Sequence, residues 1–451
     1  MDRRERTVVW LASLAVAITR WPALSRTLWD WDEALFALAV RDYDVGLYHP
    51  HPPGFPLFIA LAKLIPGHDE FHALQAIVFV SSLFVFPAAY FLARELRAPV
   101  FVATASGLLL AFMPNVWLYG GTAFSDVPSM VLSLAACALL LRGRESTRAL
   151  FAGAVLTGVA AGIRPQNLLI AFVPFVLAFR ARRRDALIGG AITALIVIAS
   201  YGGAVAASDG WNNYREALAE HARYIRETDS FLSPIRPSLI RVADDFFLRP
   251  FRAPAINIAI TLLAFIGVLS GAAGSPPAER SRRAKSPPLH WIHIAIFGPF
   301  LIFAWLYLDF HSSSRFSIAY MPLFAILAAQ GIDAMRKARA VVLAAVVALM
   351  IVWTWPALMI VHRTVSPPVA AIESLRGQDA YVDNRLGAYA ALMLPRFHDL
   401  AFLRPHQRAL IVREGPGAIN FTRERARLAG IVRDRYFVVS VTRRAESPPL
   451  H

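Results

Sequence analysis

Eleven apolar runs alternate with short polar connections along the chain, and their lengths set the first expectation. A helix needs about 20 mostly apolar residues to cross a bilayer, with tilt or local thinning shifting the number. The runs fall at 7–24, 72–93, 98–118, 127–141, 149–163, 165–179, 186–207, 254–273, 290–308, 316–332 and 340–361. Those at 127–141, 149–163 and 165–179 are short enough to be tilted or half-penetrating. The first follows a basic head, as a signal peptide would, but Arg20-Trp21-Pro22 replaces a small-residue cleavage site. It reads as an uncleaved anchor, with Arg20 snorkelling outward.

Four polar segments then share the face opposite the N-terminus: 25–71, 119–126, 208–253 and the tail 362–451. In the first, Pro56 to Ile65 is too short to span and predicts an interfacial helix. In the third, Trp211–Arg226 predicts a helix. The tail carries strand-like runs at Ala380–Asp383 and Tyr436–Val441 with a helical pattern between them, which predicts a small α/β cap. The expected architecture is an all-α polytopic membrane protein of about 11 spans over 1–361, followed by an extracytoplasmic α/β domain over 362–451.

Composition agrees with this and narrows it. Of 451 residues, 57% are hydrophobic and 17% charged, against about 25% charged in a soluble domain. The single cysteine, Cys137, excludes an internal disulfide and a cysteine metal site. A net charge of +15 raises nucleic acid as a partner. The basic residues instead sit in short clusters between the runs: 3–6, 94–97, 142–148, 180–184, 280–285 and 336–339. An inside N-terminus places all of them on the cytoplasmic side, as the positive-inside bias requires. The charge reports topology, and no nucleic acid is expected.

Candidate chemistry gathers on the other face. The loop 25–55 carries Trp29-Asp30-Trp31-Asp32-Glu33 and His49-Pro50-His51-Pro52-Pro53-Gly54. A carboxylate beside an apolar boundary can accept a proton from a hydroxyl or amine nucleophile; the plain alternative is a solvated loop anchored by its indoles. Asp126 stands in an otherwise uncharged run from Ala98 to Leu141. Ionisable groups at membrane depth are costly and usually functional, although Pro128 in the first turn equally suits a helix cap. Arg164 and Arg315 each lie at the outer edge of a run. Their guanidinium forks fit phosphate oxygens, and interfacial anchoring is the alternative.

These residues stand in an order that resembles the GT-C membrane glycosyltransferases. The group most resembled is that of the protein O-mannosyltransferases and lipid A aminoarabinose transferases, glycosyltransferase families 39 and 83. The resemblance covers roughly 1–340 and rests on five motifs. They are Asp32-Glu33-Ala34-Leu35-Phe36; His51-Pro52-Pro53-Gly54-Phe55-Pro56-Leu57; Ser125-Asp126-Val127-Pro128; Gly162-Ile163-Arg164-Pro165; and Arg315-Phe316 running to Pro322. It implies a polyprenyl-phosphate-linked sugar as donor, inversion at the sugar carbon and a site on the extracytoplasmic side of the inner membrane. Asp32 would be the catalytic carboxylate, assisted by Glu33 and Asp126. Arg315 and Arg164 would hold the donor phosphate, and His51 and Asp30 would contact substrate. The resemblance fixes no cofactor; a divalent cation on Asp32, Asp126 and His51 stays open. The acceptor, whether lipid, glycan or protein, is not specified. Where relatives carry a basic residue before the Pro-Pro pair, this chain has His51.

Two other classes share parts of this pattern. A lipid-linked glycan transporter would place ionisable residues near the midplane and show inverted repeats. Yet the spans 72–93, 186–207 and 340–361 are free of charge, the acids cluster in the outer loops, and 1–180 does not recur in 181–361. A surface-glycan ligase would concentrate its site in a large late loop.

Overall fold

Helix meets every apolar run, and proline decides where the helices break. The computed structural model describes residues 2–272, 289–403, 408–420 and 438–445; the basic cluster at 280–285 lies outside the described residues. The run 72–93 is two helices, Glu70–Leu83 and Val85–Glu95, bent by 43°. Pro87 has no N–H to offer the Leu83 carbonyl, so the helical ladder is interrupted there. The run 98–118 splits at Met113, which is extended (ψ 130°) before Pro114, giving Val100–Phe112 and Pro114–Tyr119.

Among the described residues, Arg183–Ala207, Phe310–Ala334 and Arg336–Glu373 are each long and apolar enough to cross a membrane, and the bent pair makes a fourth. Val100–Phe112, Thr147–Ile163, Pro165–Ala181, Pro254–Ser270 and Ile292–Tyr307 are shorter apolar helices. Apolar side chains point outward along several of these elements: Leu195, Ile198, Val341, Val352 and Trp10 are 68% to 76% exposed. Such a surface would drive association in water and matches a lipid environment. Inside, small residues let backbones meet. A Cβ at Gly331 would lie 2.0 Å from the Leu263 carbonyl, and one at Gly267 2.0 Å from that of Leu327. The Pro254–Ala272 and Met321–Ala334 helices therefore pack in direct backbone contact, as small-residue seams permit.

One expectation is overturned. Arg20 does not snorkel: it is 0% exposed, with Nη2 donating to the Ala111 carbonyl at 2.6 Å and its guanidinium over Phe112 and Trp117. The Arg3–Ile18 helix ends before it and a turn at Trp21–Ala23 folds the chain back over the bundle, which directs the side chain inward.

Among the described residues the tail holds a four-stranded sheet in the order β2-β1-β3-β4, with β1 Ala380–Val382, β2 His398–Asp399, β3 Arg408–Asn420 and β4 Val438–Ala445. β1 is parallel to β2 and β3, and β4 is antiparallel to β3. The Gly387–Met393 helix packs on the Trp31–Arg41 helix, where Arg41 Nη2 donates to the Leu392 carbonyl at 3.2 Å. This contact brings the tail beside the acidic segment.

Candidate active site

The acidic segment is a helix start. Asp30 is the N-cap of Trp31–Arg41 and accepts from Asp32 N at 3.0 Å, while Glu33 accepts from Asp30 N at 3.0 Å, a complete capping box. Carboxylates are favoured there because the first-turn N–H groups lack partners and the helix dipole is positive. The three acids consequently point in different directions. Glu33 is fully buried and accepts from Trp29 N at 2.7 Å as well as from Ala123 N at 2.8 Å across the fold. Burial pushes its carboxyl up to about 7 despite these three N–H groups. Gln75 ties the same two segments, donating to the carbonyls of Ser25 and Gly121, both at 2.8 Å. Neither Asp30 nor Glu33 lines the large cavity. Their side chains hold the segment 25–71 against the 119–126 turn.

Asp32 faces a cavity of about 540 Å³ that also takes in His51, Arg164 and Arg315. Asp32 Oδ2 accepts from Arg315 Nη2 at 2.6 Å, with side-chain exposures of 18% and 5%. Arg164 Nη1 donates to Asp126, both buried, and Arg164 Nε has no hydrogen-bond partner. Asp126 itself stands behind Arg164 rather than on the cavity wall. Two guanidinium–carboxylate pairs thus lie side by side, separated by Phe316: Arg315 is 4.6 Å and Arg164 5.8 Å from that ring.

Aromatic packing fixes this geometry. Phe36, on the Trp31–Arg41 helix, contacts Phe55, Phe58, Phe124 and His51 at centroid distances of 4.9 to 6.4 Å. Phe124 in turn lies 4.5 Å below the Arg315 guanidinium, and Phe55 5.5 Å from that of Arg164. One buried ring therefore indexes both cations and the imidazole. His51 Nδ1 is 4.0 Å from Asp32 Oδ1, too far for a hydrogen bond, and burial lowers its pKa to about 4. It is a neutral imidazole at pH 7, so its contact with Asp32 is not an ion pair.

The structure brings Asp32, His51, Arg164 and Arg315 onto one cavity and places Asp126 directly behind. Among the described residues, no three His, Cys, Asp or Glu side chains gather so as to hold a metal ion. Asp32 and Asp126 each answer a guanidinium instead. Sequence reasoning missed the share of the segment 208–253. The Trp211–Tyr224 helix presents His221 and Tyr224 to the cavity, with the His221 ring 6.0 Å from that of His51. The signal was present: Tyr214, Ala217, His221 and Tyr224 recur at helical spacing. Asp229, Tyr307, Asp309 and Asn384 complete that wall.

The profile of glycosyltransferase family 87 matches residues 48–287. No curated protein matches by sequence. Several solved structures share the fold. ArnT from Cupriavidus metallidurans, bound to undecaprenyl phosphate, superposes with a TM-score of 0.56 at 14% identity, over 98% of this chain and 99% of that one. The oligosaccharyltransferase of Archaeoglobus fulgidus, tethered to an acceptor peptide, gives 0.54 at 11% identity, over 96% of this chain and 68% of that one. The oligosaccharyltransferase AglB from Archaeoglobus fulgidus, in complex with an inhibitory peptide and a dolichol-phosphate, gives 0.52 at 12% identity, over 95% of this chain and 68% of that one.

Proposed function

The chain belongs to glycosyltransferase family 87, and from that premise we propose that it transfers a sugar from a polyprenyl-phosphate-linked donor to an acceptor on the extracytoplasmic face of the inner membrane. The observation that carries this reading is the Asp32–Arg315 pair beside Arg164 on the wall of one cavity. A base and two cations within one site are what displacement at a phosphate-linked sugar carbon needs.

In this reading Asp32 takes the proton of the acceptor hydroxyl or amine as its oxygen or nitrogen attacks the sugar carbon from the face opposite the phosphate. The bond from that carbon to the phosphate oxygen breaks and polyprenyl phosphate leaves with the electron pair, so the sugar carbon is inverted. Arg315 and Arg164 meet the charge that grows on the leaving phosphate, since preorganised cations stabilise developing charge at little reorganisation cost. Arg315 also orients Asp32. Asp126 is a positioning residue that holds Arg164, and His51 is a neutral hydrogen-bonding group toward the substrate. Asp30 and Glu33 act through the backbone. No step passes through a metal ion.

The wider architecture belongs to the same proposal: eleven spans over 1–361, and an extracytoplasmic domain over 362–451. Its support is the juxtaposition of Asn384 with the cavity and of the Gly387–Met393 helix with the acidic helix. The ArnT and AglB structures, with undecaprenyl phosphate and dolichol-phosphate bound, support the donor class by likeness of fold. Purified protein given a panel of polyprenyl-phosphate-linked sugars should release polyprenyl phosphate from one of them. Turnover of nucleotide sugars, with every lipid-linked donor left intact, would overturn the proposal.

A further inference from the structure

A second, unassigned cavity opens away from the candidate active site, between the Trp21–Ala23 turn and the end of the Arg339–Arg363 helix. It is an open crevice of about 540 Å³ whose lining includes Trp21, Arg26, Trp355, His362 and Arg363. Arg26 Nη1 donates to the Arg363 carbonyl at 2.9 Å, which straps the two segments together. His362 Nδ1 donates to the Leu24 carbonyl at 2.8 Å, which ties the end of the long helix to the chain beside Trp21.

The charge of this crevice is one-sided. Among the described residues, no carboxylate lies within ion-pair distance of Arg26 or Arg363. Behind it, buried Arg20 also lacks an acidic partner, and its Nε and Nη1 have no hydrogen bond. Arg20 sits 5.7 Å from the Trp117 ring, which contacts Trp355 on the crevice wall at 6.4 Å. A buried cation without a counter-charge is costly, and arginines flanking spans on the outer side run against the positive-inside bias. An anion in the crevice would answer the charge of Arg26 and Arg363, which line it. The rim states what kind of anion. Trp21 and Trp355 are exposed indoles of the sort that sit at headgroup level, and Ile18 and Val352 on the adjoining helices present apolar surface outward.

We propose that this crevice binds the phosphate headgroup of an anionic phospholipid of the outer leaflet, with Arg26 and Arg363 on the phosphate and Trp21 and Trp355 against the upper acyl chain. The site is separate from the sugar-transfer cavity, and its placement in the outer leaflet rests on the topology proposed above. Its test is native mass spectrometry of the full chain released from nanodiscs of phosphatidylglycerol or phosphatidylcholine. Phosphatidylglycerol should be retained in preference, and the double variant Arg26→Gln/Arg363→Gln should lose at least about tenfold of that affinity, or about 1.4 kcal/mol. Its affinity for polyprenyl phosphate should stay unchanged. Equal retention of the two phospholipids by the unaltered protein would overturn the proposal, whether or not the variant folds. So would unchanged phosphatidylglycerol binding in the folded variant, or a parallel loss of polyprenyl phosphate. Displacement by millimolar inorganic phosphate would assign the crevice to free phosphate and overturn the lipid.

Discussion

Asp30, Asp32 and Glu33 fall within four consecutive positions and meet three different environments, which makes this segment the sharpest test of how far residue identity predicts role. Glu33 accepts three backbone N–H groups from two segments, so its carboxylate is a clamp. Glu33→Gln keeps the size but turns one accepting oxygen into a donor facing those N–H groups. Each buried donor left unmatched costs about 1–3 kcal/mol. The variant should therefore unfold at lower temperature in detergent while its folded fraction retains transfer. An unchanged unfolding temperature with transfer abolished would return Glu33 to the chemistry. Arg315 is different in kind, because one guanidinium serves Asp32 and two aromatic faces at once. Lysine keeps the charge but not the planar fork. Arg315→Lys should weaken binding of the lipid-linked donor by about tenfold or more, the scale of one charge-assisted hydrogen bond at about 1.5–3 kcal/mol. Isothermal titration with polyprenyl phosphate checks this; equal affinity would leave Arg315 only as the partner that orients Asp32 and shift the phosphate to Arg164.

At the scale of elements, apolar periodicity gave the helices and proline gave their breaks. The eleven runs were legible because a lipid-facing helix needs uninterrupted apolar residues. The break at Met113 was legible in principle from Pro114, and that at Phe84 from Pro87. The inward turn of Arg20 was not, because its partners Ala111, Phe112 and Trp117 come from a distant part of the chain. The same distance hid the pairing within the site. Asp32, Asp126, Arg164 and Arg315 stood out singly as polar residues at apolar boundaries. That Arg315 answers Asp32 and Arg164 answers Asp126 is a product of tertiary packing around Phe36 and Phe316. His221 and Tyr224 were legible only as one face of an amphipathic helix, with nothing local to say that this face meets His51.

For the whole molecule, the proposed arrangement makes the basic clusters and the cavity lie on opposite sides of the membrane. Gly143 follows the Asp126–Arg142 helix within a basic cluster, and Arg376 follows the last long helix. Reporter fusions after these two residues should give opposite answers, cytoplasmic at Gly143 and extracytoplasmic at Arg376. Matching answers would break the topology and with it the placement of the site. The central claim is narrower: one carboxylate, Asp32, activates the acceptor in a cavity where arginines hold the lipid phosphate. Its most direct test compares purified wild-type protein with Asp32→Asn for two readouts, polyprenyl phosphate binding and sugar transfer from the lipid-linked donor. The amide keeps the shape and removes the proton acceptor, so transfer should fall by about 10²–10⁴-fold while binding persists. Transfer at the wild-type rate in Asp32→Asn would contradict the account.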